Sequence, residues 1–271
     1  MARLAINEMT TLRWTLEEDI QRYSLSGIEG IGVWRQKLSD YGEAKALELL
    51  SEYQMQVSSL HWAGGFTGSD GSSFDDCVTD CKEAIQTASR LNAGCLIVHS
   101  GSRAGHTANH ARRLLRNGLR ELLDTAEDFG VTLALEPMHE GCGANWTFLS
   151  TLEESLGLLN QFDHPNLKLV LDCYHFGFDL DWLSSIEQLV PHLALVQLGD
   201  GRIAPEDEPN RCVLGHGSIP LGEIVQRLDA HGYNGFYELE LMGEDLVTTT
   251  YDELIRDSQQ AFSDFVSASA S

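Results

Sequence analysis

The run VTLALEP, Val131 to Pro137, is apolar apart from Thr132 and ends abruptly on a carboxylate followed by proline. Its length suits one extended segment, and its unbroken apolar character suits a strand covered on both faces. Pro137 moves Glu136 out of helical backbone, so the strand must stop there. Such a strand belongs to a parallel sheet, with an acid waiting at its carboxyl edge.

Seven further runs repeat the pattern: RLAIN (3–7), GIEGIGVW (27–34), MQVSSLH (55–61), GCLIVHS (94–100), LKLVLDC (167–173), LALVQLG (193–199) and GFYELEL (235–241). Between them lie amphipathic stretches with helical period, such as FDDCVTDCKEAIQTASRLNA (74–93) and HARRLLRNGLRELLDTAEDFG (110–130), the latter closing on Gly130 in a C-cap position. The stretch SLGLLNQFDHPN (155–166) ends another helix just before Pro165. Eight strand-then-helix units in 271 residues predict an α/β fold, a single (β/α)8 barrel, with residues 1–271 as one domain. A doubly wound open sheet is the rival, weakened because no GxGxxG follows the first strand.

In a barrel of this kind chemistry gathers where strands end. The runs end on Asn7-Glu8, Trp34, His61-Trp62, His99, Glu136, Asp172, Gln197 and Glu240, a ring of ionisable and amide groups at one mouth. Three carboxylates there, Glu136, Asp172 and Glu240, would repel one another unless a cation is shared, and oxygen ligands point to Mg²⁺ or Mn²⁺. Glu238, two residues before Glu240, faces the same way on a strand and is the fallback. His61, His99 and His175 are substrate contacts or hydrogen-bonded structural groups. Trp34, Trp62 and Trp146 either wall a sugar-like face or plug the barrel top.

A long polar excursion after the seventh run, DGRIAPEDEPNRCVLGHGSIPLGEIVQRL (200–228), suggests a functional or disordered loop. Arg202 and Arg211 are scarce cations that would meet a substrate or the neighbouring Glu206, Asp207 and Glu208. Asp200 reads as a loop organiser or substrate contact.

Bulk properties narrow the function classes. Eighteen basic against 41 acidic residues leave a formal charge of −23, which disfavours nucleic acid and anionic membranes as partners. No run approaches a membrane span, and MARLAINEMT lacks a signal-peptide pattern, so a cytoplasmic protein is expected. The six cysteines form no CxxC pair and read as free buried thiols. The terminal SASAS reads as a frayed tail.

The segments LEPMH, LDCYH, VQLGDG…NRCVLGHGSIPL and YNGFYELEL resemble the xylose isomerase-like TIM barrels, a superfamily of sugar isomerases, epimerases and dehydratases, along the whole chain. The resemblance implies one divalent metal, with Glu136, Asp172, Gln197 and Glu240 as ligands. Gln197 stands where many members carry histidine, making an all-oxygen shell that favours Mn²⁺ or Mg²⁺ over Co²⁺ or Zn²⁺. It implies Glu136 and Glu240 as the catalytic acid/base pair. Substrate contacts would come from His61, Trp62, His99, His175, Arg211 and His216. The expected activity is proton transfer on a sugar or keto-polyol through an enediolate. Elimination from the same intermediate, by an inosose, 3-keto sugar or dehydroshikimate dehydratase, is the alternative. An endonuclease-like hydrolase or a non-catalytic sugar-binding barrel ranks lower. A homo-oligomer is compatible with the acidic surface.

Overall fold

A computed structural model describes residues 2–267, so the SASAS end beyond Ser267 lies outside the described residues. Eight parallel strands close into a barrel in sequence order: β1 (Arg3–Asn7), β2 (Gly30–Trp34), β3 (Gln56–Gly64), β4 (Leu96–His99), β5 (Leu133–Leu135), β6 (Leu167–Asp172), β7 (Leu193–Leu198) and β8 (Phe236–Leu239). β1 pairs with both β2 and β8, which closes the ring. This is a (β/α)8 barrel, as the periodicity predicts. Around it run α1 (Leu16–Leu25), α2 (Arg35–Tyr41), α3 (Glu43–Glu52), α4 (Phe74–Arg90), α5 (Ala108–Asp128) and the short α6 (Glu140–Gly143). Then follow α7 (Leu152–Phe162), α8 (Cys173–Phe176), α9 (Ile186–Leu189), α10 (Leu221–Ala230) and α11 (Tyr251–Ser267).

Local chemistry explains where these helices start. Thr15 and Glu18 form a reciprocal capping box on α1, and Ser73 and Asp76 do the same on α4. Thr107 and Thr151 cap α5 and α7 through backbone N–H groups three residues on. The sixth unit departs from the expected strand–helix rhythm. Only the four-residue α8 and α9, joined by a 3₁₀ turn, fill residues 173–189. Gly177 interrupts the segment, and Trp182 Nε1 donates to the Phe176 carbonyl at 3.0 Å, folding it back on itself.

Two layers inside the barrel place the site. A compact apolar plug is built from Ala5, Cys95, Ile97, Ala134, Val170, Leu195 and Phe236. Side chains two residues apart on a strand face the same way. The inward positions next above this plug are therefore Asn7, His99, Glu136, Asp172, Gln197 and Glu238, every one buried. The apolar plug keeps water from below, and the polar layer above it opens toward the carboxyl ends of the strands.

All six cysteines are free and buried. Among the described residues no helix is long and apolar enough to cross a membrane.

Candidate active site

The polar layer converges on Glu136, which stands one residue past β5 and is 1% exposed. His99 Nε2 lies 2.8 Å from Glu136 Oε2, and His61 Nε2 approaches the same oxygen at 4.0 Å. On the other side, Asp172 ends β6 and caps α8 by accepting the Tyr174 N–H at 2.8 Å. That turn brings His175 back, with Nε2 3.6 Å from Asp172 Oδ2. Ligating atoms of Glu136, Asp172 and His175 all lie within 4.8 Å of one another, as do those of His61, His99 and Glu136.

Glu240 follows β8 directly and is held by two donors, Gln197 Nε2 on Oε2 and Arg211 Nη1 at 3.0 Å on Oε1. The other arm of Arg211 reaches Asp172 Oδ2. Arg211 is thus a fork between two carboxylates, only 2% exposed, not a rim residue paired with Glu206, Asp207 or Glu208. Arg202 pairs instead with Asp245 at 2.6 Å. Gly199 lets Arg211 pass: a Cβ there would sit 2.8 Å from the guanidinium Nε.

Glu238 and Glu240 part company here. Glu238 lies deeper, accepting from Asn7 at 2.8 Å, Ser58 at 2.6 Å and Ser59 at 2.8 Å. It leaves no room for a side chain at Gly32, where a Cβ would meet its carboxylate at 2.6 Å. The chain's own hydroxyls and amides already satisfy Glu238, whereas Glu240 lies at the level of Arg211. Glu8, the other half of the Asn7-Glu8 exit, turns away from the mouth. Its Oε2 accepts the Trp34 N–H at 2.6 Å, and it belongs to a separate buried network in which Lys37 pairs with Asp19 at 2.6 Å.

Burial governs the protonation states. It pushes Glu136 up to about 7, with the Asp172 charge adding to the effect. Glu240 also rises to about 7 through burial, although Arg211 pulls the other way. His61, His99 and His175 are each lowered to about 4, again by burial first, so all three are neutral imidazoles near neutral pH. Burial works against the charge of Arg211, yet Asp172 and Glu240 outweigh it and hold its pKa above the ordinary value. Two carboxyls titrating near neutrality beside neutral imidazoles are suited to giving and taking protons.

The remaining residues of interest fall as follows. Trp62 stacks on His99 with centroids 5.1 Å apart, and Trp146 meets Trp62 edge-on at 5.5 Å, forming one aromatic wall beside Glu136. His216 is exposed on the loop after β7, between Gly215 and Gly217, whose N–H groups Asp200 accepts. Asp200 is the loop's organiser: its carboxylate accepts N–H groups of Gly201, Gly215, Gly217 and Ile219 at 2.8 to 3.4 Å. Sequence reasoning passed over Cys142, whose Sγ lies 3.5 Å from His175 Nδ1, and Ser59 beneath the mouth, and it gave Asn7, named as a strand end, no role. The two-residue parity of β1 and β3 was the available signal.

The donor set fits a divalent cation. Carboxylate and imidazole atoms converge from the ends of β3, β4, β5 and β6 and from α8, and the Gln197 Oε1 is a buried carbonyl without a partner. With His175 this close, a nitrogen joins the oxygen donors, so the surroundings are less purely oxygen than sequence implied.

The chain belongs to the xylose isomerase-like TIM barrel family, which matches residues 20–264. It is 24% identical to an inosose isomerase of Halalkalibacterium halodurans over 277 residues, covering 98% of this chain and 96% of that one. A D-psicose 3-epimerase of Enterocloster bolteae is 32% identical over 129 residues, 47% of this chain and 39% of that one. The crystal structure of the IOLI protein with a binding zinc atom superposes with a TM-score of 0.84 at 24% identity, covering 98% of both chains.

Proposed function

We propose that this protein is a divalent-metal-dependent isomerase or epimerase of a sugar or keto-polyol, working by proton transfer through an enediolate. The observation that carries the reading is the buried pair Glu136 and Glu240 in one cluster, Glu136 beside Asp172 and Asp172 joined to Glu240 through Arg211. Burial, which raises both carboxyls to about 7, supports it. Relatives that are isomerases and 3-epimerases, and a structural neighbour carrying zinc, support it. Glu136, Asp172, Gln197 and Glu240 are the proposed ligands, with His175 beside them. The ion, Mn²⁺ or Mg²⁺ in preference to Co²⁺ or Zn²⁺, would polarise the substrate carbonyl and acidify the neighbouring C–H.

The side chains supply the rest. Glu136 and Glu240 take and return the proton as the acid/base pair. Arg211 and neutral His175 orient hydroxyls, and the Trp62–Trp146 wall packs the apolar face of the ring. The buried setting excludes water from the reactive carbanion. The acidic surface, with its charge of −23, is consistent with a small neutral substrate in a protein that binds neither nucleic acid nor membrane. Cytoplasmic location belongs to the same proposal.

The test is proton exchange at the substrate α-carbon in deuterated water, with a panel of ketoses, inososes and 3-keto sugars and Mn²⁺ supplied. Glu136→Gln and Glu240→Gln should each cut exchange by roughly 10²–10⁴-fold. Full exchange in both variants refutes the acid/base assignment, and product NMR separates isomerisation from dehydration.

A further inference from the structure

We infer that Asn7 is a positioning residue: it holds His61 as a neutral imidazole protonated on Nε2, and so withdraws that nitrogen from metal ligation. Donor and acceptor polarity fix the arrangement. Asn7 Oδ1 accepts the Met9 backbone N–H at 2.9 Å, and a backbone N–H can only donate. The orientation of the Asn7 amide is thereby settled, an assignment that otherwise has to be made from its neighbours. Its Nδ2 then faces two groups, Glu238 Oε1 at 2.8 Å and His61 Nδ1 at 2.9 Å. The amide has one hydrogen for each.

His61 Nδ1 must therefore accept. A neutral imidazole carries a single N–H, so it sits on Nε2. Adding a proton to Nδ1 would set N–H against N–H, so the imidazolium cannot form while the bond to Asn7 stands. The chain beneath is equally one-way. Ser58 and Ser59 hydroxyls occupy Glu238 Oε2 at 2.6 and 2.8 Å, leaving Oε1 for Asn7. Asn7, Ser59 and Glu238 are fully buried, so water is not available to substitute a partner.

The consequence concerns His61, His99 and Glu136. Their ligating atoms lie within 4.8 Å of one another, close enough to hold an ion of their own. Ligation needs an unprotonated nitrogen. The nitrogen that His61 turns toward Glu136 carries hydrogen, so this side of the mouth offers a donor to a substrate oxygen. The Glu136, Asp172 and His175 side is left as the place for the ion.

Long-range ¹H–¹⁵N spectra of the histidine rings, recorded without substrate or metal, read the tautomer directly. His61 is assigned by its disappearance in His61→Gln. The expected result is an Nε2-protonated pattern across neutral pH; an Nδ1-protonated or imidazolium pattern overturns the inference. Because no substrate is present, failure of the isomerase reading would leave this result untouched. The double variant Asn7→Asp with Glu238→Gln exchanges acid and amide, so that the new aspartate accepts from both the glutamine and His61 Nδ1. Titrated with Zn²⁺ alone and read by native mass spectrometry, the unaltered protein should take up a single ion and the variant a second. A second ion shifting His61 resonances in the unaltered protein overturns the inference, as does a folded variant that stays at one. Should the variant not fold, the spectra of the unaltered protein still decide.

Discussion

Glu136 and Glu240 illustrate how one residue type takes its character from surroundings. Both are buried, and burial lifts each from an ordinary value of 4.5 to about 7. A carboxyl whose folded pKa exceeds its unfolded value binds protons more tightly in the native state. The stability this contributes is complete below the unfolded value and is lost as pH rises through the folded one. His61, His99 and His175, each lowered to about 4, pull the other way over the same window, so the carboxyl contribution is read as a difference. With chelator present, the melting-temperature advantage of the unaltered protein over Glu136→Gln should shrink between pH 4.5 and about 7, at roughly 2–4 °C per kcal/mol lost. Added Mn²⁺ should remove most of that pH dependence of the difference because the ion favours the ionised forms. A difference that stays flat or grows across the window in chelator would contradict the assignment.

At the scale of elements, the loop between β7 and α10 is held by one side chain. Asp200 gathers four backbone N–H groups, and the Cys212 N–H returns to the Asp200 carbonyl at 2.9 Å. Arg211 stands in that pinned segment, its own N–H bonded to the Met242 carbonyl, so the loop delivers the guanidinium to Asp172 and Glu240. Asp200→Ala should cost roughly 3 kcal/mol, the range for charge-assisted bonds left unmade at a buried site. Limited proteolysis should then cut within 201–219, and turnover should drop although no ligand has been altered. Unchanged protease resistance would show that the glycine turns hold the loop without the aspartate. Length and polarity marked this segment as functional or disordered, with Asp200 as its organiser or a substrate contact. Which N–H groups Asp200 gathers became visible only when Gly215, Gly217 and Ile219 were brought round one carboxylate.

The whole molecule carries 41 acids against 18 bases, and only part of that excess is buried at the mouth. The remainder repels itself across the surface. Raising monovalent salt from roughly 0.01 M to 1 M shortens the screening length from about 30 Å to about 3 Å. The melting temperature should rise by several degrees over that range, read by calorimetry at fixed pH with metal saturating. A flat or falling dependence would mean that surface ion pairs such as Arg22–Asp252, at 3.0 Å, outweigh the repulsion.

The barrel and its polar mouth were legible in the sequence because both follow from period. Unbroken apolar runs define strands buried on two faces, and the acid or amide ending each run, as in VTLALEP and LALVQLG, marks the carboxyl edge. The short α8 and α9 of the sixth unit were not legible, because a strand-then-helix rhythm does not reveal a chain that folds back on Phe176 and Trp182. Strand parity put Glu238 and Glu240 on one face, with Glu240 preferred as nearer the strand end and Glu238 the fallback. The fold gave them different partners, setting Ser58 and Ser59 of β3 and Asn7 of β1 around the first and Arg211 beside the second. Sequence determined which side chains point inward, since that depends on neighbours along one strand. Tertiary structure decided which donors each would meet, since those come from residues up to 231 positions away across the closed barrel.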